Sequence, residues 1–236
     1  MKVDKELLQC KEVWNKKKII RNIYQGWYKE IIKWLKKGKT LEVAAGIGNF
    51  KEFYPNIISS DIRINPWIDK IVDATKIEFK DESLDNIVCI DGLHHFSDPY
   101  KFLSEAERVL KKRGRLILFE PNISIFSYLV RKLLHHESIS NKLTTSKNAL
   151  DANFAMANLI FQKNIKEINR RFPNFRILKK EKKEFFLYPL SRGIHTKKSF
   201  IPYSLYGFLR KIENLLLLLP IKNIVCFKML IVLEKN

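Results

Sequence analysis

TLEVAAGIGN, residues 40–49, is a short apolar run that ends in a turn of small residues, and it decides the fold. An apolar segment of this length reads as a buried strand. Ala45-Gly46-Ile47-Gly48 then turns the chain into a helix-like stretch closed by Pro55. The same unit recurs downstream. Asn56–Asp61 and Lys70–Asp73 are short strands ending in acids, and Leu84–Ile90 is a buried strand that stops at Asp91-Gly92. Pro99–Lys112 places Phe102, Leu103, Ala106, Val109 and Leu110 on one helical face; after Gly114, Arg115–Glu120 is a further strand ended by Pro121. Upstream, Leu7, Val13, Trp14, Ile20, Ile23, Trp27, Ile31 and Trp34 recur at helical spacing until Gly38.

Strands alternating with helices predict parallel βαβ units, hence an α/β fold: a Rossmann-like, doubly wound, mostly parallel sheet with helices on both faces. Right-handed crossovers bring the strand ends to one rim, where Ala44–Gly48, Asp61, Asp73, Asp91 and Glu120 meet. Beyond Pro121, Ser124–His136 and Ala149–Phe172 read as helical, Phe175–Leu187 as a strand and Phe227–Glu234 as the last strand. Residues 188–224 form a long connection with a helix over Tyr203–Leu218, a helical insertion of the kind that serves as a lid or binding element. A chain of 236 residues supports one core and is too short for two full domains. The expected layout is N-terminal helices over 1–37, a cofactor-binding half over 38–121 and a substrate-side half over 122–236.

Glu42-Val43-Ala44-Ala45-Gly46-Ile47-Gly48 has the context of a glycine loop, after a strand and before a helix, but Lys51 stands where a dinucleotide loop needs its third glycine. A tight small-residue turn lets a ligand pass close to backbone without cradling a pyrophosphate, which suits a phosphate-free nucleoside; a plain structural turn is the alternative. Asp61 is placed to accept from a ribose diol, or else to cap a turn. Asp73-Ala74 can accept from an exocyclic amine such as that of adenine, with a turn again the alternative.

The segments LEVAAGIGN, SSDIR, VDAT, LDNIVCIDGLHHFSDP and RVLKKRGRLILFEP resemble, in order and spacing, the class I S-adenosylmethionine-dependent methyltransferases from about Lys39 to Pro121. The resemblance implies S-adenosylmethionine as cofactor. By it Glu42, Gly46 and Gly48 line the methionine end, Asp61 binds ribose, Asp73 and Ala74 flank adenine, and Asp91 and Gly92 lie beside the transferred methyl. Ala44 and Ile62 complete the cofactor-binding set. The family's usual first glycine is Ala44 here, a methyl that a negative φ would tolerate.

A hydroxyl nucleophile needs a base, and His94 and His95 follow Asp91-Gly92, with His95 the first choice; both are also ordinary turn residues in the resembling family. His135-His136-Glu137 has too few and too divergent ligands for a metal, so no metal is expected. His135, His136, Tyr188 and Arg192 are the expected substrate contacts, Arg192 being able to pair with a phosphate or carboxylate, or to sit solvated at the surface.

The expected function is O-methylation of a small or lipid-linked acceptor, such as a sugar or a quinone-like phenol. The second half resembles methyltransferases encoded with bacterial surface-polysaccharide enzymes. Two alternatives stand: an RNA or DNA methyltransferase, prompted by the net charge of +19, and a binding protein that has lost catalysis, hinted at by Ala44. Against nucleic acid, Asp91-Gly92-Leu93-His94 replaces the Asn/Asp-Pro-Pro-aromatic tetrad of base-amine methyltransferases, and no Pro-Cys dipeptide or RNA-binding module is present. The basic clusters at 16–18, 36–37, 111–113, 179–180 and 182–183 are scattered. Cys10, Cys89 and Cys226 lack CxxC spacing, and residues 1–9 carry no signal core. The apolar runs 215–219 and 224–233, interrupted by Pro220 and Lys228, fall short of the roughly 18–20 residues that cross a bilayer. A cytoplasmic protein is expected, with membrane contact at most peripheral.

Overall fold

A computed structural model describes residues 3–134, 139–143 and 152–236. Seven strands form one sheet: β1 Thr40–Val43, β2 Ile58–Asp61, β3 Lys70–Ile71, β4 Leu84–Ile90, β5 Leu110–Pro121, β6 Phe175–Lys183 and β7 Lys228–Lys235. Their order is β3-β2-β1-β4-β5-β7-β6. The first five pair in parallel, and β7 inserts antiparallel between β5 and β6. The winding reverses at β1, which has β2 on one side and β4 on the other. In open α/β sheets a ligand crevice opens at such a switch point, outside the carboxyl ends of the strands.

The helices are α1 Lys5–Lys16, α2 Lys18–Ile32, α3 Asn49–Phe53, α4 Pro99–Val109, α5 Ile125–Leu134, α6 Met156–Asn158, α7 Ile165–Arg171, α8 Leu187–Ser191, α9 Tyr206–Leu216 and α10 Lys222–Val225. Two local signals fix entrances: the Asp4 side chain accepts from the amide of Glu6, and Asp98 accepts from the amide of Lys101 with Pro99 in the first turn. Adjacent strand residues face opposite layers, and residues two apart share one. Leu41, Ile87, Leu116, Leu118 and Ile231 pack with α4 and α7, whereas Val88, Ile117, Phe119, Leu230 and Val232 pack with α1, α2 and α8. Trp27 of α2 stacks on Phe119 at 5.0 Å, so the N-terminal helices are part of the core.

Several boundaries differ from expectation, three of them with a clear local cause. The long helix expected over 149–172 is, in its described part, α6, a π-turn over Leu159–Lys163 and α7, with Asn164 breaking the run at φ −106. β6 stops at Lys183, because Glu184 takes φ 56 and α8 begins three residues on. β5 starts at Leu110 rather than at Arg115, and residues 111–114 bulge out between the partners of Leu84 and Asn86. In the long connection, the buried Glu213 of α9 accepts the amides of Phe186 and Leu187, and Arg210 bridges Glu213 to Glu184. This network anchors α9 over the start of α8. Among the described residues no helix is long and apolar enough to cross a membrane.

Candidate active site

At the carboxyl ends of β1, β2 and β4 lies a cavity of about 640 Å³, within the range of small-molecule sites. Of the residues expected at the site, Glu42, Ala44, Gly46, Asp61, Ile62, Asp73, Ala74, Asp91, His94, His95, Tyr188 and Arg192 all line it. Gly48 and Gly92 stand behind the wall instead. A Cβ on Gly48, which has φ 65, would lie 2.2 Å from the carbonyl oxygen of Trp67; one on Gly92 would lie 2.6 Å from the methyl of Ala44 and 2.7 Å from Cys89 Sγ. His135 and His136 lie outside the described residues. Ala44 has φ 53, so the condition under which its methyl is tolerated without strain does not hold; the left-handed conformation costs about 1–2 kcal/mol for an L-residue. Asp91 (φ 51) and Arg192 (φ 62) share that conformation, which concentrates backbone strain on the cavity rim.

The acids differ in their commitments. Asp61 accepts the amide of Gly46 on Oδ2 and that of Arg63 on Oδ1, both at 2.8 Å, while Asn65 Nδ2 donates to the carbonyl of Gly46 at 3.1 Å. The turn after β1 is thereby clamped to the end of β2, and each carboxylate oxygen keeps a lone pair for a ligand hydroxyl. Asp73 Oδ1 accepts both the amide and the hydroxyl of Thr75 at 2.8 Å, an Asx turn. Glu42 is buried, with the Ser59 hydroxyl 3.4 Å from Oε2. Burial pushes its carboxyl up to about 8, opposed by Ser59 and reinforced by Asp61, so it is protonated at neutral pH. The turn after β1 forms no phosphate cradle: α3 is five residues long and its cap, Gly48, packs on Trp67. The donor set fits a phosphate-free nucleoside bearing positive charge.

Beyond Asp91 the chain makes a 3-10 turn, Leu93–His95, held by the fully buried Glu120 at the end of β5. Glu120 Oε1 accepts the amides of Gly92 and Leu93 at 2.9 Å, and Oε2 lies 2.9 Å from Nδ1 of His94. A carboxylate held by two amides makes Nδ1 the donor and leaves Nε2 of His94 as an acceptor. Burial pushes His94 down to about 3, so the imidazole is neutral. The same burial raises Glu120, against the pull of the two amides. His95 is exposed, its ring tilted by 38° against that of His94 at a centroid distance of 4.2 Å; among the described residues no hydrogen bond orients its ring.

Two cations on the cavity wall were not anticipated. Lys228, the first residue of β7, is buried, ion-paired with Asp91, and lies 4.8 Å from the Trp27 ring and 4.7 Å from that of Tyr188. Arg131 of α5 is buried with its guanidinium 4.2 Å from Phe154 and 6.0 Å from Phe227. A charge inside an apolar run marks both, alone in the case of Lys228 and beside Lys132 in that of Arg131, although Lys228 reads more simply as an interruption of its run. Asp91, His94 and Glu120 bring ligand atoms within 4.8 Å of one another. Each is already committed, to Lys228, to Glu120 or to backbone amides, so the cluster is a hydrogen-bond network and not a chelate.

The strand order, with its reversed seventh strand, and the acids gathered at the strand ends match the fold of class I S-adenosylmethionine-dependent methyltransferases. Residues 60–118 match the methyltransferase-domain family profile. A demethylmenaquinone methyltransferase of Renibacterium salmoninarum is 31% identical over 133 residues, covering 47% of this chain and 55% of that one. The chain spans about half the length of such curated relatives. Among solved structures, a SAM-dependent methyltransferase from Archaeoglobus fulgidus superposes with a TM-score of 0.56 at 14% identity, covering 92% of this chain and 94% of that one. The [4+2]-cyclase SpnF superposes at 0.55 and 13% identity over 91% and 81% of the two chains. These likenesses concern the fold. One framework carries differently named chemistry, so the reaction must be argued from the site.

Proposed function

We propose that this chain transfers a methyl group from S-adenosylmethionine to a hydroxyl of a small, ring-bearing acceptor, with His94 receiving the hydroxyl proton. The observation that carries this reading is a neutral imidazole, oriented by Glu120, in the same cavity as Glu42, Asp61 and Asp73. Bound there, the cofactor supplies an activated methyl on a sulfonium. Asp61 and Asp73 would hold its nucleoside, and Glu42 its positive end. His94 Nε2 takes the proton as the acceptor oxygen attacks, and Glu120 stabilises the imidazolium that forms. Phe154, Phe227, Tyr188 and the N-terminal helices exclude water from the reacting atoms. His94 therefore replaces His95 as the first choice for the base.

The aromatic walls favour a ring-bearing acceptor, as does the name of the Renibacterium relative; a sugar has no such support. Nucleic acid is disfavoured by the use made of the basic clusters: Lys16, Lys36, Lys111, Lys179 and Lys183 each pair with a carboxylate. Calorimetry with S-adenosylmethionine, followed by transfer of labelled methyl to a panel of phenols, tests the proposal. Cofactor binding with transfer supports it. Binding without transfer across the panel favours a non-catalytic binding protein, and absence of binding overturns both.

A further inference from the structure

We infer that the outward faces of α5, α9 and α10 form a docking surface for an anionic lipid bilayer. Such docking requires no cofactor, so it stands or falls apart from the methyl-transfer reading.

Two of these helices are turned the wrong way round for a water-facing surface. A surface helix ordinarily packs its apolar stripe on the core and gives its polar side to solvent. α9 does the reverse. It buries the Glu213 carboxylate completely and pairs Arg210 with Glu184, while Phe208 and Leu215 are 64% and 67% exposed. Those two stand seven residues apart, about two turns, and so share one side of the helix. The chain beyond α9 continues the pattern, with Leu218 78% exposed and Leu219 and Ile224 exposed as well. α5 repeats it: Ser127 and Arg131 are buried, whereas Ile125, Leu129 and Leu133, at four-residue spacing, are exposed. α10 lies beside α5, so the outward residues of the two belong to adjoining elements. One exposed leucine is ordinary, but a file of them on adjoining helices marks an interaction surface.

Charge names the occupant. Residues 121–134 contain no acid, and the single acid of residues 185–233 is the buried Glu213. Lys132, Lys211 and Lys222, on the same three helices, form no ion pair among the described residues. The leucines are therefore set among cations, with no exposed carboxylate from these segments. That combination suits the surface of an anionic bilayer, where apolar side chains enter the acyl boundary and ammonium groups stay with the phosphates. A second copy docked on the same face about a two-fold axis would bring like charges together. α5 also gives Val130 and Arg131 to the cavity wall, so the docking face adjoins the cavity.

The test is co-sedimentation of the full chain with vesicles of pure phosphatidylcholine and of phosphatidylcholine and phosphatidylglycerol in equal parts. Partition onto the anionic vesicles should exceed that onto the neutral ones by about tenfold or more, and should fall as salt screens the lysines. Combining Leu129→Ser, Leu133→Ser and Leu218→Ser should weaken partition onto the anionic vesicles by about tenfold or more. Lys132→Gln, Lys211→Gln and Lys222→Gln together should cost about as much, whereas the same change at the exposed Lys76, Lys80 and Lys112 should cost little. Absence of binding to anionic vesicles overturns the inference. So does binding that the leucine variant leaves unchanged, because net charge alone then accounts for it. If the leucine variant fails to fold, the two lysine variants decide, and equal losses in both overturn the proposal. Sedimentation velocity of the free chain reports the other occupant: a dimer that the leucine variant dissociates assigns the face to a second copy, against the proposal.

Discussion

Nδ1 of His94 lies 2.9 Å from Oε2 of Glu120, and the other oxygen of that carboxylate accepts the amides of Gly92 and Leu93. The pair therefore joins the end of β5 to the turn after β4, and it sets which imidazole nitrogen carries the proton. Replacing His94 by Asn should lower turnover by about 10²–10⁴-fold, the usual worth of a positioned base, while cofactor affinity changes little. His95→Ala should have a much smaller effect on turnover. Steady-state rates with calorimetric affinities check both, and a normal rate in the His94 variant removes it as base.

The same histidine makes folding pH-dependent. Its value is about 6.5 when unfolded and about 3 when folded, so between those limits the unfolded chain binds the extra proton. Its contribution to stability is complete above pH 6.5 and is lost as pH falls, by about 2 kcal/mol at pH 5. Urea unfolding of His94→Asn should show a weaker decline from pH 7 to pH 5 than the wild type. Parallel profiles would contradict the neutral, buried imidazole.

Glu42 titrates in the opposite sense. Its folded value of about 8, above 4.5, gives stability that is present at low pH and lost as pH rises towards 8. A cation arriving beside it should draw the proton off. Binding of S-adenosylmethionine near pH 6.5 should then release close to one proton, measurable as a dependence of the calorimetric heat on buffer ionisation enthalpy. Near pH 9, or in Glu42→Gln, the release should vanish.

Ala44, on the cavity wall, and Gly92, behind it, form a coupled pair. Gly92→Ala should destabilise by about 1–3 kcal/mol, because its methyl meets that of Ala44 and the sulfur of Cys89. Ala44→Gly relieves the left-handed strain at φ 53 and opens room for that methyl. A double-mutant cycle in urea should show the second change rescuing part of the first, by about 0.5 kcal/mol or more. Additive effects would refute the contact.

Asp61→Ala should weaken cofactor binding by more than about tenfold, since it removes both the ribose acceptor and the clamp on Gly46. Asp61→Asn keeps one acceptor oxygen and should lose less. Equal affinity in all three proteins would count against the ribose assignment.

The residues that end strands were legible because parallel topology gathers strand ends wherever β and α alternate; Leu84–Ile90 keeps its expected bounds and Asp61 and Asp91 reach one cavity. What escaped reading depended on tertiary partners. Lys228 and Asp91 stand 137 positions apart, and nothing local to either announces the other. The positive φ of Ala44 is likewise invisible, since alanine carries no turn signal. The π-turn at Leu159–Lys163 hides inside a run whose apolar spacing still looks helical.

Because β7 runs against its neighbours, its first residue, and not its last, arrives at the ligand rim. During synthesis the ribosome has already released every parallel strand before Lys228 is added. A nascent chain halted short of residues 228–235 would lack the sheet's inner partner for β5 and the counter-charge of Asp91. Competence to take up ligand should thus be acquired in one step, when β7 docks, not gradually as the strands emerge.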